Sequence, residues 1–420
     1  MTLLNPYFLL ILIGLTSRIF WSLFVSFEPI VAGDALFYLD MASNLREFGV
    51  YGDGSTQELY RAPLYSFFLA IISFIPGNLE INIIIVQNFV SITTTILCYS
   101  LLMSWRPRLA FVWAVAWLSL PFAAFNDMLI LQESLYTNLI MLASAVAFSS
   151  LPSFNLRSAF TVGLLLGASA YVRDVYLLLP FAFIVAILWS TAFAAWKNLI
   201  FALFIFMFSV TPWMVRNASI ENGGFFMSKG IVGMSLYVGT WQRDGYWEKP
   251  WLTGRNMPDH AFEANEDRSA IERAMRVRDD DFLRKIAINR IKDRPIEIAK
   301  IWIGRAQTMW LGTRSDLSYL KLQTGSNSWI VFKSALWALN TIILIFGVLG
   351  LFLYGIRKNP LLIFSGVILY VYSIYLPFLN IETRYSMPAL VWLYLFAILF
   401  VEGLINNWRK WSGKLLFQKK

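Results

Sequence analysis

The chain has 420 residues, of which 58% are hydrophobic, 17% aromatic and only 15% charged, with a mean hydropathy of +0.59. That composition excludes a soluble globular protein and marks an all-α polytopic membrane protein. The formal charge of +9 then belongs to loops and lipid headgroup contacts, not to nucleic acid. One cysteine, Cys98, and one histidine, His260, leave no intrachain disulfide, no cysteine cluster for zinc and no dedicated histidine metal site.

Apolar stretches of roughly 20 residues predict about ten spans. They lie near 6–27, 80–104, 109–126, 131–151, 158–173, 175–190, 197–214, 329–354, 360–379 and 386–405. Residues 6–27 lack a basic leader and a small-residue cleavage site, so they read as a retained first span, uncharged throughout, with the first acid following at Asp34. The basic residues Arg106, Arg108, Arg157, Lys197, Arg357 and Lys358, and the tail Arg409, Lys410, Lys414, Lys419 and Lys420, then share one side, the cytoplasm by the positive-inside rule. The apolar stretch 62–76 would invert every later loop if it crossed, so it reads as an interfacial helix. Asp34, Asp40, Asp127, Glu133, Asp174 and Glu382 fall on the outer face.

Three units follow: a membrane module over 1–214 whose first outer loop is 28–79, an outer segment over 215–328, and a membrane module over 329–420 with a basic tail. Gly223 to Gly254 is rich in glycine and aromatics and predicts irregular or short-strand structure. Beyond it, Asp279 to Asp281 open a helix on which Leu283, Ala287 and Ile291 recur every four residues, and Pro295 opens a second. On that second helix Ala299, Ile303, Ala306 and Trp310 form an apolar stripe opposite Glu297 and Lys300, predicting an amphipathic helix that roofs a cavity at the membrane surface.

Charged residues at span ends carry the candidate chemistry. Asp34 follows the first span in Gly33-Asp34-Ala35-Leu36-Phe37-Tyr38, where glycine frees the backbone and the aromatic rings would desolvate the carboxylate and raise its proton affinity, as a general base requires. A solvated acid at a helix end is the plainer alternative. Glu133 opens the fourth span, either as a favourable charge at a helix N-terminus or as a second acid that orients an acceptor or holds a cation. Arg61, Arg173, Arg216 and Arg384 stand on the outside against the positive-inside bias. Each could snorkel, and Arg173 could pair with Asp174, but guanidinium groups suit bidentate phosphate recognition. Tyr38, Tyr60, Tyr65 and Tyr385 are the candidate cavity aromatics, Gly163 and Gly167 a helix-packing pattern, and Asn217-Ala218-Ser219 a weak glycosylation match.

The order of these features resembles the GT-C superfamily of membrane glycosyltransferases, within it the bacterial branch akin to family 39 protein O-mannosyltransferases and the aminoarabinose transferase that modifies lipid A. The matching stretches are Asp34 to Gly49, Tyr60-Arg61-Ala62-Pro63-Leu64-Tyr65, Glu133, Pro212-Trp213 with Arg216-Asn217, the helical pair Asp281 to Trp310, and Arg384-Tyr385 with Pro388. The resemblance implies a GT-C bundle in a bacterial inner membrane and inverting transfer of a hexosyl or pentosyl group from a polyprenyl-phosphate donor to a lipid, glycan or protein acceptor on the outer face. It implies Asp34 as base or acceptor-positioning group, and Arg61 and Arg384 as phosphate contacts. It names no certain cofactor; a divalent metal is possible and its ligands unknown. Against the pattern of that family, the sequence reads as carrying neither an extra C-terminal soluble domain nor an inserted sugar-binding domain, and its first-loop acid is not a consecutive acidic pair. A surface-polysaccharide polymerase or ligase and a lipid-linked sugar transporter are the rival readings, although transporters place their charges near the midplane in repeated, broken helices.

Overall fold

Helices form wherever the chain is apolar and free of breakers, and they end at prolines, glycines and polar caps. In the computed structural model these are α1 (Pro6–Phe24), α2 (Asp34–Phe48), α3 (Leu64–Ile72), α4 (Leu79–Met103), α5 (Pro107–Ser119), α6 (Pro121–Met128), α7 (Glu133–Ser149), α8 (Leu156–Val172), α9 (Leu179–Ser190) and α10 (Trp196–Ala218). The outer segment supplies α11 (Val232–Gly239), α12 (Arg268–Val277), α13 (Asp280–Asp293) and α14 (Pro295–Leu311). The chain returns through α15 (Ser326–Gly350), α16 (Leu362–Ile374) and α17 (Met387–Phe417). The structure describes residues 5–24, 34–53, 57–151, 153–221, 223–229, 232–242, 259–263, 266–277, 279–311, 326–355, 360–374 and 383–417. Gly33, Arg357, Lys358, Glu382, Lys419 and Lys420 lie outside them.

Each expected span contains a helix, but fewer are long enough to cross alone. Among the described residues, α1, α4, α10, α15 and α17 meet the length and hydropathy of a crossing helix. The segment expected as one span over 109–126 is broken: α5 and α6 meet at a 50° bend and count together as a sixth. Pro121 has no N–H to continue α5, and it holds Leu120 extended at φ −78° and ψ 146°. Helix α3 has nine residues, about 14 Å at 1.5 Å per residue, too short to cross and in keeping with an interfacial element.

Helix α17 is the central post, every residue from 387 to 396 being buried. Trp113 of α5 stacks on Trp392 with centroids 5.4 Å apart, Phe364 of α16 also stacks on Trp392 at 3.9 Å, and the Trp113 indole donates to the Val391 carbonyl at 2.9 Å. Gly163 and Gly167 do pack helices: a Cβ on Gly163 would lie 2.4 Å from the Ala202 carbonyl oxygen of α10. At the far end Arg106 and Glu402 form an exposed bidentate pair with a closest distance of 2.9 Å.

The outer segment departs from expectation twice. It is helical at α11, where irregular or short-strand structure was anticipated; no strand occurs among the described residues, and 243–254 lie outside them. Tyr237, Val238, Trp241, Ile271, Met275, Leu283 and Ala287 give it a small core of its own, which is why a glycine-rich stretch folds as a helix there. The apolar stripe of α14 is also rotated: Ile298, Arg305 and Met309 are buried, whereas Ile303 is 70% exposed. Trp302, whose indole donates to the Gly239 carbonyl at 3.1 Å, ties that face to α11 and turns Ile303 outward.

Candidate active site

The first outer loop folds back on α2. Gly49 ends α2 at φ +68°, a left-handed conformation that glycine adopts without a Cβ clash, and its amide donates to the Leu45 carbonyl at 3.1 Å. The loop behind it is held from both sides. The Tyr51 carbonyl accepts from the Glu58 amide at 2.8 Å, the Leu59 carbonyl accepts from the Lys229 amide at 2.7 Å, and Arg216 donates to the carbonyls of Glu58 and Tyr51 at 2.8 and 3.3 Å.

That loop delivers Arg61 to Asp34, the first residue of α2. The contact is bidentate, Nη2 to Oδ1 at 2.8 Å and Nη1 to Oδ2 at 3.2 Å, and Nη1 also donates to the Tyr38 hydroxyl at 3.1 Å. Both side chains remain somewhat more than a quarter exposed. Phe37 and Tyr38 lie beneath the guanidinium, at 5.0 and 5.4 Å from its carbon. The aromatics expected to desolvate the acid therefore seat its cation, and Asp34 is charge-matched by Arg61 across the short loop that the two residues flank.

A second, buried constellation stands beside it. Glu133 opens α7 at 2% exposure, Arg173 donates to its Oε1 at 3.3 Å, and Nε of Arg384 lies 3.3 Å from the same oxygen without hydrogen-bond alignment. Its Oε2 is buried with no hydrogen-bond partner among the described residues. Tyr385 lies 4.0 Å under the Arg173 guanidinium and 5.5 Å from that of Arg384. Two arginines thus converge on one oxygen of this buried carboxylate. Tyr38 joins the two clusters: burial pushes its hydroxyl above the usual tyrosine value, and Arg61, Asp34, Glu133 and Arg173 all act on it.

Several expected site residues have other duties. Arg216 is a clamp on the loop backbone, stacked 4.4 Å over Trp213 and donating to the carbonyls of Glu58 and Tyr51. Arg173 pairs with Glu133 and not with Asp174, whose carboxylate accepts from Ser228. Tyr65 is wholly buried, its hydroxyl donating to Gln87 at 2.8 Å, so it supports the site from beneath. Tyr60 is half-buried with its amide donating to Glu58. Asn217 is fully buried and donates to the Phe226 and Met227 carbonyls, which rules out a glycan on it in this fold. Among the described residues no three histidine, cysteine, aspartate or glutamate side chains converge as metal ligands.

Two charged residues were missed or misplaced. Arg18 interrupts the first span, which read as uncharged, and pairs at 2.9 Å with Asp127, expected on the outer face but buried in the last turn of α6. An arginine amid a 19-residue apolar helix was the signal, since such a charge needs a partner.

No protein-family model matches the chain, and no curated protein does. Among solved structures it is similar to the archaeal oligosaccharyltransferase AglB from Archaeoglobus fulgidus, in complex with an inhibitory peptide and a dolichol-phosphate. That match has a TM-score of 0.50 at 11% identity and covers 95% of this chain and 51% of AglB, so the chain spans about half of AglB's length. It is also similar to ArnT from Cupriavidus metallidurans bound to undecaprenyl phosphate, with a TM-score of 0.45, 14% identity, and 93% and 77% of the two chains covered. The apo state of ArnT gives 0.43, 14%, 93% and 76%. The chain thus has a GT-C-like fold, an all-helical polytopic membrane bundle.

Proposed function

We propose that this protein is a GT-C-type glycosyltransferase that moves a hexosyl or pentosyl group from a polyprenyl-phosphate donor to a lipid, glycan or protein acceptor. The reaction takes place on the extracytoplasmic face of a bacterial inner membrane. The observation that carries this reading is the juxtaposition of the half-open Asp34–Arg61 pair with the buried Glu133–Arg173–Arg384 cluster. The fold shared with AglB, a structure solved with a dolichol-phosphate, supports it.

The chemistry follows from charge. An acceptor hydroxyl attacks the anomeric carbon, the bond from that carbon to the phosphate oxygen breaks, and the polyprenyl phosphate leaves carrying the electron pair. One displacement inverts the anomeric centre. Cations are needed where the phosphate charge develops, and a carboxylate where the hydroxyl proton departs. Arg61 and Arg384 supply the first, and Asp34 the second. A donor phosphate competes with Asp34 for the Arg61 guanidinium, so donor binding loosens the bidentate pair and frees the carboxylate to take the proton. Glu133, with Oε2 uncommitted, orients the acceptor.

The test is sugar release from a panel of polyprenyl-phosphate sugars in the presence of membrane extract, followed by mass spectrometry for wild type and Asp34→Asn. Wild type releases sugar, and the variant turns over about 10² to 10⁴ times more slowly, the worth of a positioned base, with melting temperature retained and donor affinity retained or raised, since the phosphate no longer competes with a carboxylate for Arg61. Near wild-type turnover in the variant removes Asp34 from the base role. No release by wild type beside an active control enzyme rejects the reading.

A further inference from the structure

Below the Asp34 site a line of buried polar groups runs into the bundle. Arg18 of α1 donates to the Leu118 carbonyl of α5 at 3.1 Å, to the Ser91 hydroxyl of α4 at 3.3 Å and to the Asp127 carboxylate of α6 at 2.9 Å. Asp127 also accepts from the Ser134 hydroxyl of α7 at 2.5 Å. One ion pair thus bridges five helices across the bend made by Pro121.

The bend has an output. Past it, the carbonyls of Asp127 and Leu129 both accept from the Gln87 side-chain amide at 2.9 Å, which fixes which end of that amide faces them. The Gln87 oxygen is left to accept from Tyr65, and the Tyr65 ring meets Tyr38 edge to face at 5.0 Å. Tyr38 in turn accepts from Arg61, which holds Asp34. Gln87, Tyr65 and Tyr38 are each no more than 1% exposed, so none can move without displacing its neighbour.

We propose that Arg18 and Asp127 are positioning residues for the Asp34 site: they lock the α5–α6 bend, and through Gln87, Tyr65 and Tyr38 they set where Arg61 holds the catalytic carboxylate. This rests on the reading of Asp34 as the base. A buried pair kept only for stability would be dispensable once replaced by apolar groups of similar volume, since such replacement is often neutral or stabilising. A positioning pair would not be, because apolar side chains cannot hold the Leu118 carbonyl and Ser91 along with the bend.

The experiment uses the full chain in lipid nanodiscs with 3-fluorotyrosine at position 38, comparing wild type, the double variant Arg18→Met/Asp127→Leu, and Gln87→Leu, which leaves the ion pair intact. Melting temperature and the fluorine resonance of position 38 are read first. The proposal expects the resonance to shift in both variants while each still melts cooperatively. It also expects turnover to fall at least tenfold in each with donor KM little changed, and the effects of Gln87→Leu and the double variant, combined, to be far from additive. An unmoved resonance in Gln87→Leu overturns the link, whether or not the double variant folds. Wild-type turnover in a double variant of wild-type stability overturns the positioning role. If wild type turns over no donor, the glycosyltransferase reading fails by itself, and the resonance still decides whether the bend positions Tyr38.

Discussion

Asp34–Arg61 and Arg18–Asp127 are the same chemical pair at nearly the same distance, 2.8 and 2.9 Å, in opposite settings. The first has both side chains about 28% exposed at the loop end of the bundle; in the second the figures are 2% for the aspartate and 6% for the arginine. A pair open to solvent can exchange partners cheaply, because water and an incoming anion replace what is lost. A pair inside the bundle cannot, because each charge released there is left in a medium that does not solvate it. The setting, not the residue types, separates a carboxylate able to do chemistry from one that holds a bend.

Single substitutions should separate the two pairs most sharply. Asp34→Asn costs turnover, by the factor of about 10² to 10⁴ given above, and spares stability. Asp127→Ala should do the reverse in kind, destabilising the protein by about 3–5 kcal/mol by stranding Arg18 without its carboxylate. Chemical denaturation in detergent measures the second. A loss below about 1 kcal/mol would show that water reaches Arg18 and that the pair is not the buried element its exposure indicates.

How far the sequence revealed these sites follows from the same contrast. Asp34, Arg61, Glu133, Arg173 and Arg384 were legible because a charge at the end of an apolar run is costly and visible, and the structure gathers all five at one end. That Asp34 and Arg61 could meet was legible too, since they flank one short loop, but their bidentate contact depends on the Gly49 turn and the Arg216 clamp, and the pairing of Glu133 with Arg173 and Arg384 was not legible. Arg18 was hidden inside a run judged by its average hydropathy, and Asp127 was assigned to a loop because Pro121, which bends the span, was counted within it. In the outer segment the position of Leu283 and Ala287 in the core was readable from their spacing, whereas Arg290, one of several arginines there, gave no sign of being buried.

The Arg290–Glu266 pair offers a third setting, its arginine as buried as Arg18 and its glutamate 14% exposed. Arg290 is 3% exposed, donates to Glu266 at 2.8 Å, to Thr240 at 3.1 Å and to the Ala261 carbonyl at 2.8 Å, and lies 4.7 Å over the Tyr237 ring. Burial works against the charge of Glu266, but the hydrogen bonds from Arg290 and from the Glu263 amide outweigh it and hold its pKa below the usual 4.5. In the window between the two values the unfolded chain binds more protons than the folded one. The pair's contribution is therefore complete above about pH 4.5 and is lost as pH falls through the lower, folded value. Amide exchange of α12 and α13 should be slow from neutral pH down to that window and then lose protection beyond the intrinsic pH dependence of exchange. Glu266→Gln should flatten this loss. A variant that kept the full acid response would assign it to other carboxylates.

The smallest effect belongs at the far end of the bundle, where Arg106 and Glu402 are both about two-fifths exposed. Their bidentate geometry is as good as that of Asp34–Arg61, so contact geometry alone would rank the two pairs together. Solvent screening ranks them apart from the Arg18–Asp127 pair: Glu402→Gln should cost less than about 1 kcal/mol and shrink further in high salt. It should leave turnover untouched, since α17 places Glu402 about 22 Å along its axis from the end that carries Arg384. A loss of several kcal/mol there would mean that exposure is a poor guide to how these pairs behave. The separation of the Asp34 and Asp127 sites by setting would then have to rest on turnover alone.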